Sequence, residues 1–457
     1  MTRFSWIVLA LFVAAVVFQV FAPPEVGIAN NGDYSKMIAR FSLGYLDLNN
    51  PDELLFYERD WRFDRRYEWV SDNYSSELIL IGAAISIGRL FNTQVFDIRI
   101  LGAIHAILWA ACFAALLPLF SRLSGWRRYA LPILALAVFT DASYIVHCNS
   151  MHTDTAAFLF LSWTLAIALR IAAGDWRGPF PIGAMLLTAI LFTTAKPQHS
   201  LLGLLFWILV AAVVWNVSAG WMRAGWLAAS CLIPFATYLT ITHVPVRERQ
   251  LQMFNSIFSK LLPGSSSPES DLLELGFTPG MKSWIGSYAD QTVNNPLNNF
   301  YVTSVLTPAA HRRLALFYLT HPARAFAIIY SDLPVRAADR RPPFLGNYRR
   351  VTGLPPRTLA RSFHWWSDIR SRPFRIAPWH IAVWYAVFLA GLWRLRNLSG
   401  VIALVVAAAG LLALASASLG DSGETDRHLW IFHVLTDFTI LLALTQTSPF
   451  ASRERAS

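Results

Sequence analysis

Long apolar runs, separated by short clusters of Arg, Pro, Gly and Trp, organise the whole chain. A helix needs about 20 predominantly apolar residues to cross a bilayer. On that measure the pattern predicts spans at 4–22, 98–120, 129–147, 155–172, 181–196, 199–216, 224–243, 379–394, 399–418 and 429–447. The expected fold is all-α and polytopic, with about ten transmembrane helices, interfacial helices and a long outer loop. The spans 181–196 and 199–216 meet at Lys196-Pro197-Gln198-His199. That polar hinge suits a helical hairpin or one broken helix. Segment 76–91 is apolar but short, and is expected to lie on the outer surface as an interfacial helix.

The pattern divides the chain into three regions. Residues 1–243 form a transmembrane module with an outer loop at 23–97, residues 244–378 form a second outer region, and residues 379–457 carry the last helices. The 23–97 loop holds Asn30-Asn31-Gly32-Asp33 and a charged stretch of Glu58, Arg59, Asp60, Arg62, Asp64, Arg65 and Arg66. The 244–378 region is the one place for a sizeable soluble subdomain. It contains the loop signal Pro263-Gly264-Ser265-Ser266-Ser267-Pro268 and an amphipathic piece at 311–330. Arg336 to Arg375 is basic with Trp and Pro, which reads as a surface near anionic headgroups. No internal repeat or low-complexity tract is visible.

Composition agrees with this reading. The chain is 55% hydrophobic and 14% charged, whereas a soluble domain carries about 25% charged residues. Its 18 Trp and 14 Tyr suit two membrane–water interfaces, where such rings concentrate. The net charge of +10 arises partly from Arg at the ends of apolar runs. No basic run with interleaved aromatics stands on a soluble domain, so nucleic acid is not an expected partner. Cys112, Cys148 and Cys231 lie in or beside apolar runs without CxxC spacing, which argues against a disulfide framework or zinc site. The apolar run ending at Phe21-Ala22-Pro23 is expected to be retained as a helix rather than removed as a signal peptide.

Charge also sets the orientation, because cytoplasmic loops are enriched in Lys and Arg. With both ends inside, the inner segments carry Arg3; Arg122, Arg127 and Arg128; Arg170 and Arg177; Arg223; Arg394 and Arg396; and Arg453 and Arg455. The short outer loops then carry Asp141, His152 and Asp154; Lys196; and Asp421, Glu424, Asp426 and Arg427. Four polar clusters fall on one face.

Each cluster has a functional and a structural reading. Asp33 follows a flexible Gly32 and precedes Tyr34, Met37, Phe41 and Tyr45 at helical spacing, so it sits at the start of an interfacial helix. Asp154 likewise opens a span. Both suit helix capping, and both suit a general base or a metal ligand. His152 is placed to bind a phosphate or help hold a metal. Lys196, with Gln198 and His199, can neutralise a phosphate or snorkel to the interface. Glu424, Asp426, Arg427 and His428 lie where a substrate can reach them. His433 and Asp437 continue from His428 at about one-turn spacing, close to one face of the last helix. No Gly-rich, zinc or GxSxG pattern is present.

The acid in the first outer loop, the Asp opening the fourth span, the lysine hinge after the fifth and the long late outer loop together resemble GT-C glycosyltransferases. Examples are the protein O-mannosyltransferases and lipid A aminoarabinose transferases. Asn30-Asn31-Gly32-Asp33 and Arg427-His428-Leu429-Trp430-Ile431-Phe432-His433, with Asp437 beyond, look more narrowly like bacterial hexose transferases of surface-glycan biosynthesis. The likeness covers roughly residues 1–245 and the last three spans. The chain has Gly32-Asp33 where the mannosyltransferases carry Asp-Glu.

The resemblance implies an inverting transferase of the bacterial inner membrane, with its active site on the periplasmic face. Its donor would be a polyprenyl-phosphate-linked sugar and its acceptor a glycan, lipid or protein. Asp33 would be the general base, and Asp154 would orient the acceptor or a metal. Lys196, Arg427 and His428 would offset charge on the leaving phosphate. No organic cofactor is implied, and a divalent metal stays open. The competing readings are a transporter or flippase of lipid-linked sugars, which predicts an inverted repeat and polar residues at mid-bilayer, and a glycan polymerase or ligase using Arg336 to Arg375 with His364 and His380.

Overall fold

The computed structural model describes residues 1–46, 53–65, 74–289, 295–392, 397–420 and 422–446. Arg66, Arg394, Arg396, Asp421, Arg453 and Arg455 lie outside the described residues.

The first half contains α1 (Arg3–Phe21), α2 (Asp33–Ile38), α3 (Glu77–Phe91), α4 (Arg99–Ser121), α5 (Arg127–Phe139), one-turn α6 (Ala142–Ile145) and α7 (Asp154–Ala172). It continues with α8 (Pro179–Thr193), one-turn α9 (Pro197–Ser200), α10 (Leu202–Val217), α11 (Gly220–Ser230) and α12 (Leu232–Thr242). Residues 244–378 add α13 (Val246–Phe254), a π-helical turn at Asn255–Leu261, α14 (Pro268–Glu274), α15 (Phe300–Val305), α16 (Pro308–Thr320), α17 (Pro322–Val335) and α18 (Trp365–Ile376). The last helices are α19 (His380–Leu392), α20 (Leu398–Gly420), α21 (Thr425–His428) and α22 (Trp430–Gln446). Three short antiparallel strands, β1 (Gly44–Tyr45), β2 (Asp60–Arg62) and β3 (Val95–Asp97), pair in that order around a fully buried Trp61.

Among the described residues, six stretches are long and apolar enough to cross a membrane: Arg3–Phe21, Arg99–Ser121, Asp154–Ala172, Gly220–Thr242, Leu398–Gly420 and Thr425–Thr445. The chain is therefore a membrane protein. Four of the ten expected spans are occupied by shorter helices, namely α5, α8, α10 and α19, with 13, 15, 16 and 13 residues. Each shortening has a local cause. Asp141 accepts the Ser143 amide at 2.9 Å and starts α6, so α5 ends before it. Pro197 lacks an amide proton and disfavours helix at the residue before it, which ends α8 and delays α10. α19 meets α18 at 107°. The amphipathic piece at 311–330 is two helices, divided at His321. α3 has only 15 residues and leaves Leu90 and Phe91 exposed at its end.

A bilayer offers backbone groups no partner, so spanning segments must be helices that satisfy themselves. What joins such helices is close packing. α1 packs on α4 and α5, α7 on α4 and α8, and α20 on α10 and α22. α20 buries Gly400, Ala403, Ala407, Gly410, Ala413 and Ala417. At Gly410 a side chain would collide with the Tyr385 hydroxyl, which reaches across to Thr436 at 3.0 Å. α7 and the stretch Thr425–Thr445 are the most enclosed spans, each 78% buried. Both carry an acidic residue in the first turn, Asp154 and Asp426.

The bundle has two chemically distinct ends. At one, Arg122 donates to the Ala173 carbonyl at 2.6 Å and pairs with Asp175, and Arg170 reaches Asp175 at 3.0 Å. Phe4 and Tyr129 stack edge to face there, which brings the start of α1 to the start of α5. The other end gathers the start of α7, the α8–α10 hinge and the α20–α22 connection.

The region 244–378, expected to be one subdomain, is not one body of packing. Residues from Met253 to Phe317 form a separate apolar core. Leu333, Ala337, Ala338, Leu345, Ala360, Trp366 and Phe374 instead join the core of the helical bundle. The basic stretch accordingly does not simply lie on the surface. Arg340, Arg341 and Arg370 are buried. Arg340 and Arg370 clasp Asp437 of α22 at 2.5 and 3.3 Å, while Tyr144 and Trp366 donate to the same carboxylate at 2.8 and 3.1 Å.

Candidate functional site

Asp33 is placed by its neighbours. The Asn30 side-chain oxygen accepts the amides of Gly32 and Tyr34 at 2.8 and 3.0 Å. Gly32 takes the left-handed φ of +95° that this turn requires. Asn30 thus performs the capping that the sequence also allowed for Asp33, and the Asp33 carboxylate points away from its own helix end. Asp154 repeats the arrangement. Glu77 of α3 accepts the Ala156 amide at 2.9 Å, and His105 holds Glu77 at 3.0 Å. Asp154 is left to accept Lys196 at 2.9 Å, with His199 at 3.6 Å.

Arg427 joins the two acids. Its guanidinium stands 2.6 Å from Asp33, 2.5 Å from Glu424 and 3.9 Å from Asp154. His152 supports it from behind. The His152 Nε2 proton goes to the Ala29 carbonyl at 3.2 Å, which leaves Nδ1 to accept from Arg427 at 3.1 Å. Burial, with Arg427 beside it, pushes the His152 pKa down to about 4, in keeping with that neutral tautomer. On its other side Asp33 pairs with Lys36 at 2.8 Å, and Lys36 continues to Glu248 of α13 at 3.2 Å. The result is a run of alternating charge: Glu248, Lys36, Asp33, Arg427, Asp154, Lys196.

A cavity of about 620 Å³ opens along this run. Asp33, Lys196, Glu424, Arg427 and His428 line it. Asn31 and Lys36 line it from α2, and Glu248, Leu251, Gln252 and Asn255 from α13 and the π-helical turn. Burial alone would raise the Asp33 pKa, but Arg427, Lys36 and His152 outweigh it and hold this carboxyl well below the usual range. Glu424 goes the other way: burial raises it more than Arg427 lowers it, and Asp33 adds to the rise.

The remaining expected site residues do not reach the cavity. Asp154, His152 and His199 form a buried layer behind it. Asp426 departs from expectation. It turns to Arg336 at 2.9 Å, because α21 is a single turn and its successive residues point different ways. The grouping of His428 with His433 and Asp437 also separates. His428 lines the cavity, while His433 packs near Phe374 in the same buried region where Arg340 and Arg370 hold Asp437. Among the described residues, no three His, Cys, Asp or Glu side chains stand together as a metal site.

Sequence reasoning missed Lys36, Glu77, Glu248 and Gln252. Lys36 was detectable, since it sits three residues after Asp33 on a short helix. Glu77 lies in the segment read only for its apolarity. Nothing local marks Glu248 or Gln252, whose place depends on how the outer region folds back.

A family model described as the YfdI N-terminal transmembrane domain matches residues 2–455. No curated protein and no solved structure matches the chain.

Proposed function

The chain belongs to the YfdI N-terminal transmembrane domain family, and on that premise we propose that it is an inverting GT-C-type glycosyltransferase. It moves a sugar from a polyprenyl phosphate to an acceptor hydroxyl at the outer face of the bacterial inner membrane. One observation carries this reading. An Asp released from capping shares a cavity of about 620 Å³ with Arg427, Lys196 and His428, at the bundle end away from the arginine-rich loops. The ten-span topology with both ends inside belongs to the same proposal.

In this reaction Asp33 takes the proton of the acceptor hydroxyl. That oxygen bonds to the anomeric carbon from the face opposite the phosphate. The anomeric C–O bond breaks, and its electron pair leaves on the polyprenyl phosphate. The donor phosphate diester carries one negative charge and the departing monoester two, so attraction to cations grows along the reaction. Such growth is what lowers a barrier. Arg427 is paired with Asp33. As it follows the growing charge it frees Asp33 to accept a proton. Asp154, buried behind, positions Lys196 and Arg427 rather than touching substrate.

The burial of Arg340, Arg341 and Arg370 weighs against the polymerase or ligase reading, which needs those donors in an open loop. The hold of Arg340 and Arg370 on Asp437 likewise weighs against a transporter that would use this mid-bundle acid. The deciding test is transfer from a polyprenyl-phosphate-linked hexose by the purified protein in lipid nanodiscs. Asp33→Asn is expected to lower kcat by about 100- to 10,000-fold, the usual worth of a general base. Full transfer by that variant would sink the assignment.

A further inference from the structure

The run of paired charges along the cavity has two unlike ends. One is cationic and aromatic in character, with Lys196, Arg427 and His428. The other is formed by α13 and the first residue of the π-helical turn, where residues 248, 251, 252 and 255 fall at i, i+3, i+4 and i+7 and line the cavity together. Three of those four side chains are carboxylate or amide: Glu248, Gln252 and Asn255. Asp33 stands between the two ends, tied to one through Arg427 and to the other through Lys36.

This second wall is firmly held. The Asn255 side chain accepts the Ala289 amide at 2.8 Å, and the Ser422 hydroxyl donates to the Asn255 carbonyl at 3.2 Å. Ser256 donates to the Gly420 carbonyl at 2.6 Å. The π-helical turn, a feature common at functional sites, therefore fixes α13 to the connection that carries Glu424 and Arg427. Gln252 is exposed and lines the cavity.

We propose that the α13 face, through Glu248 and Gln252, is the acceptor subsite, and that it selects the hydroxyls of an uncharged sugar. This rests on the transferase reading and adds to it the side from which the acceptor enters. A carboxylate and an amide beside the base can accept and donate to sugar hydroxyls. The same carboxylate, joined to Asp33 through Lys36, disfavours phosphate and uronate groups. The cationic end is left for the donor phosphate. Glu248 and Gln252 are specificity-determining residues here, and the proton transfer stays with Asp33.

Two measurements test it. In nanodiscs, with a neutral hexose oligosaccharide as acceptor, Glu248→Gln and Gln252→Ala are expected to raise the acceptor KM about 10-fold, the loss of roughly one hydrogen bond. The donor KM should stay within about 2-fold. An equal rise in donor KM, or an unchanged acceptor KM in both variants, overturns the proposal. The second measurement needs no turnover. Gln252→Cys in a Cys231→Ser background, which removes the exposed native thiol, is labelled with a maleimide. The neutral oligosaccharide should slow labelling, and polyprenyl phosphate should not. Protection by polyprenyl phosphate alone, or none by the oligosaccharide, overturns it. Protection by the oligosaccharide in a protein that transfers no sugar would retire the transferase reading and leave this binding site standing.

Discussion

Asp33 and Asp154 each begin a helix, and in each case another residue satisfies the helix end. Substitutions should separate the two jobs. Asn30→Ala removes the cap of α2 and should cost about 1 kcal/mol of stability. Asp33→Asn leaves that cap in place, so its effect should appear in turnover far more than in the thermal midpoint. Glu77→Ala strands the Ala156 amide and the His105 ring in a fully buried place. It should lower stability by about 1–3 kcal/mol, measurable as a lower melting midpoint in detergent. The charge on Asp33 also predicts a pH profile. Its folded pKa is depressed, so its ion pairs persist above the ordinary carboxylate pKa of about 3.9 and fade only as pH falls through the lower folded value. The donor kcat/KM, which reports the free enzyme, should therefore show no acid limb from Asp33 above about pH 4. In kcat, which reports the loaded enzyme, that limb should move to higher pH as Arg427 turns to the phosphate. Identical limbs in the two profiles would refute the exchange of Arg427 between partners.

At the scale of elements, the segment from Leu333 to Ile376 works as a strap laid into the bundle. Its arginines meet Asp437 where no water competes. Truncating one partner of such a pair leaves a buried charge uncompensated, at a cost of about 3–5 kcal/mol. Asp437→Ala should lower the melting midpoint sharply, and adding Arg340→Met should restore part of the loss. This strap was hidden in the sequence for a physical reason. A run of arginines reads as a solvated or headgroup-facing surface, and only tertiary placement turns it inward. The apolar runs behaved oppositely. Run length alone located the helices α1, α4, α7, α20 and α22 within a few residues, because a bilayer leaves a long apolar segment little choice but helix. Lengths failed at α5, α8 and α19, where a local cap, a proline or a bend intervened. Asp426 was misplaced because a single helical turn has no sustained face from which to read direction.

For the whole molecule, the separation of two charged ends made Asp33, Lys196 and Arg427 legible as neighbours before any fold was known. The same separation gives the test of orientation. A cysteine at Gly125 should be labelled only from the cytoplasmic side in intact spheroplasts, and one at Gln198 only from outside. The swapped pattern would reverse the sidedness and with it the proposed periplasmic site, and labelling of both from one side would refute the two-ended topology. Partners of the cavity that come from the outer region could not be read in advance, since Glu248 stands more than two hundred residues from Lys36 and no periodicity links them. The ion pair between Arg427 and Asp33 has one more consequence, and it concerns the end of the catalytic cycle. Under the proposed reaction, a spent polyprenyl phosphate would bind the cations better than the donor did, and would be slow to leave. Asp33 offers Arg427 a competing anion within reach. The proposed base would then help to expel the product, once it has passed its proton to water. Weakening that pair should appear as product inhibition before it appears as lost chemistry.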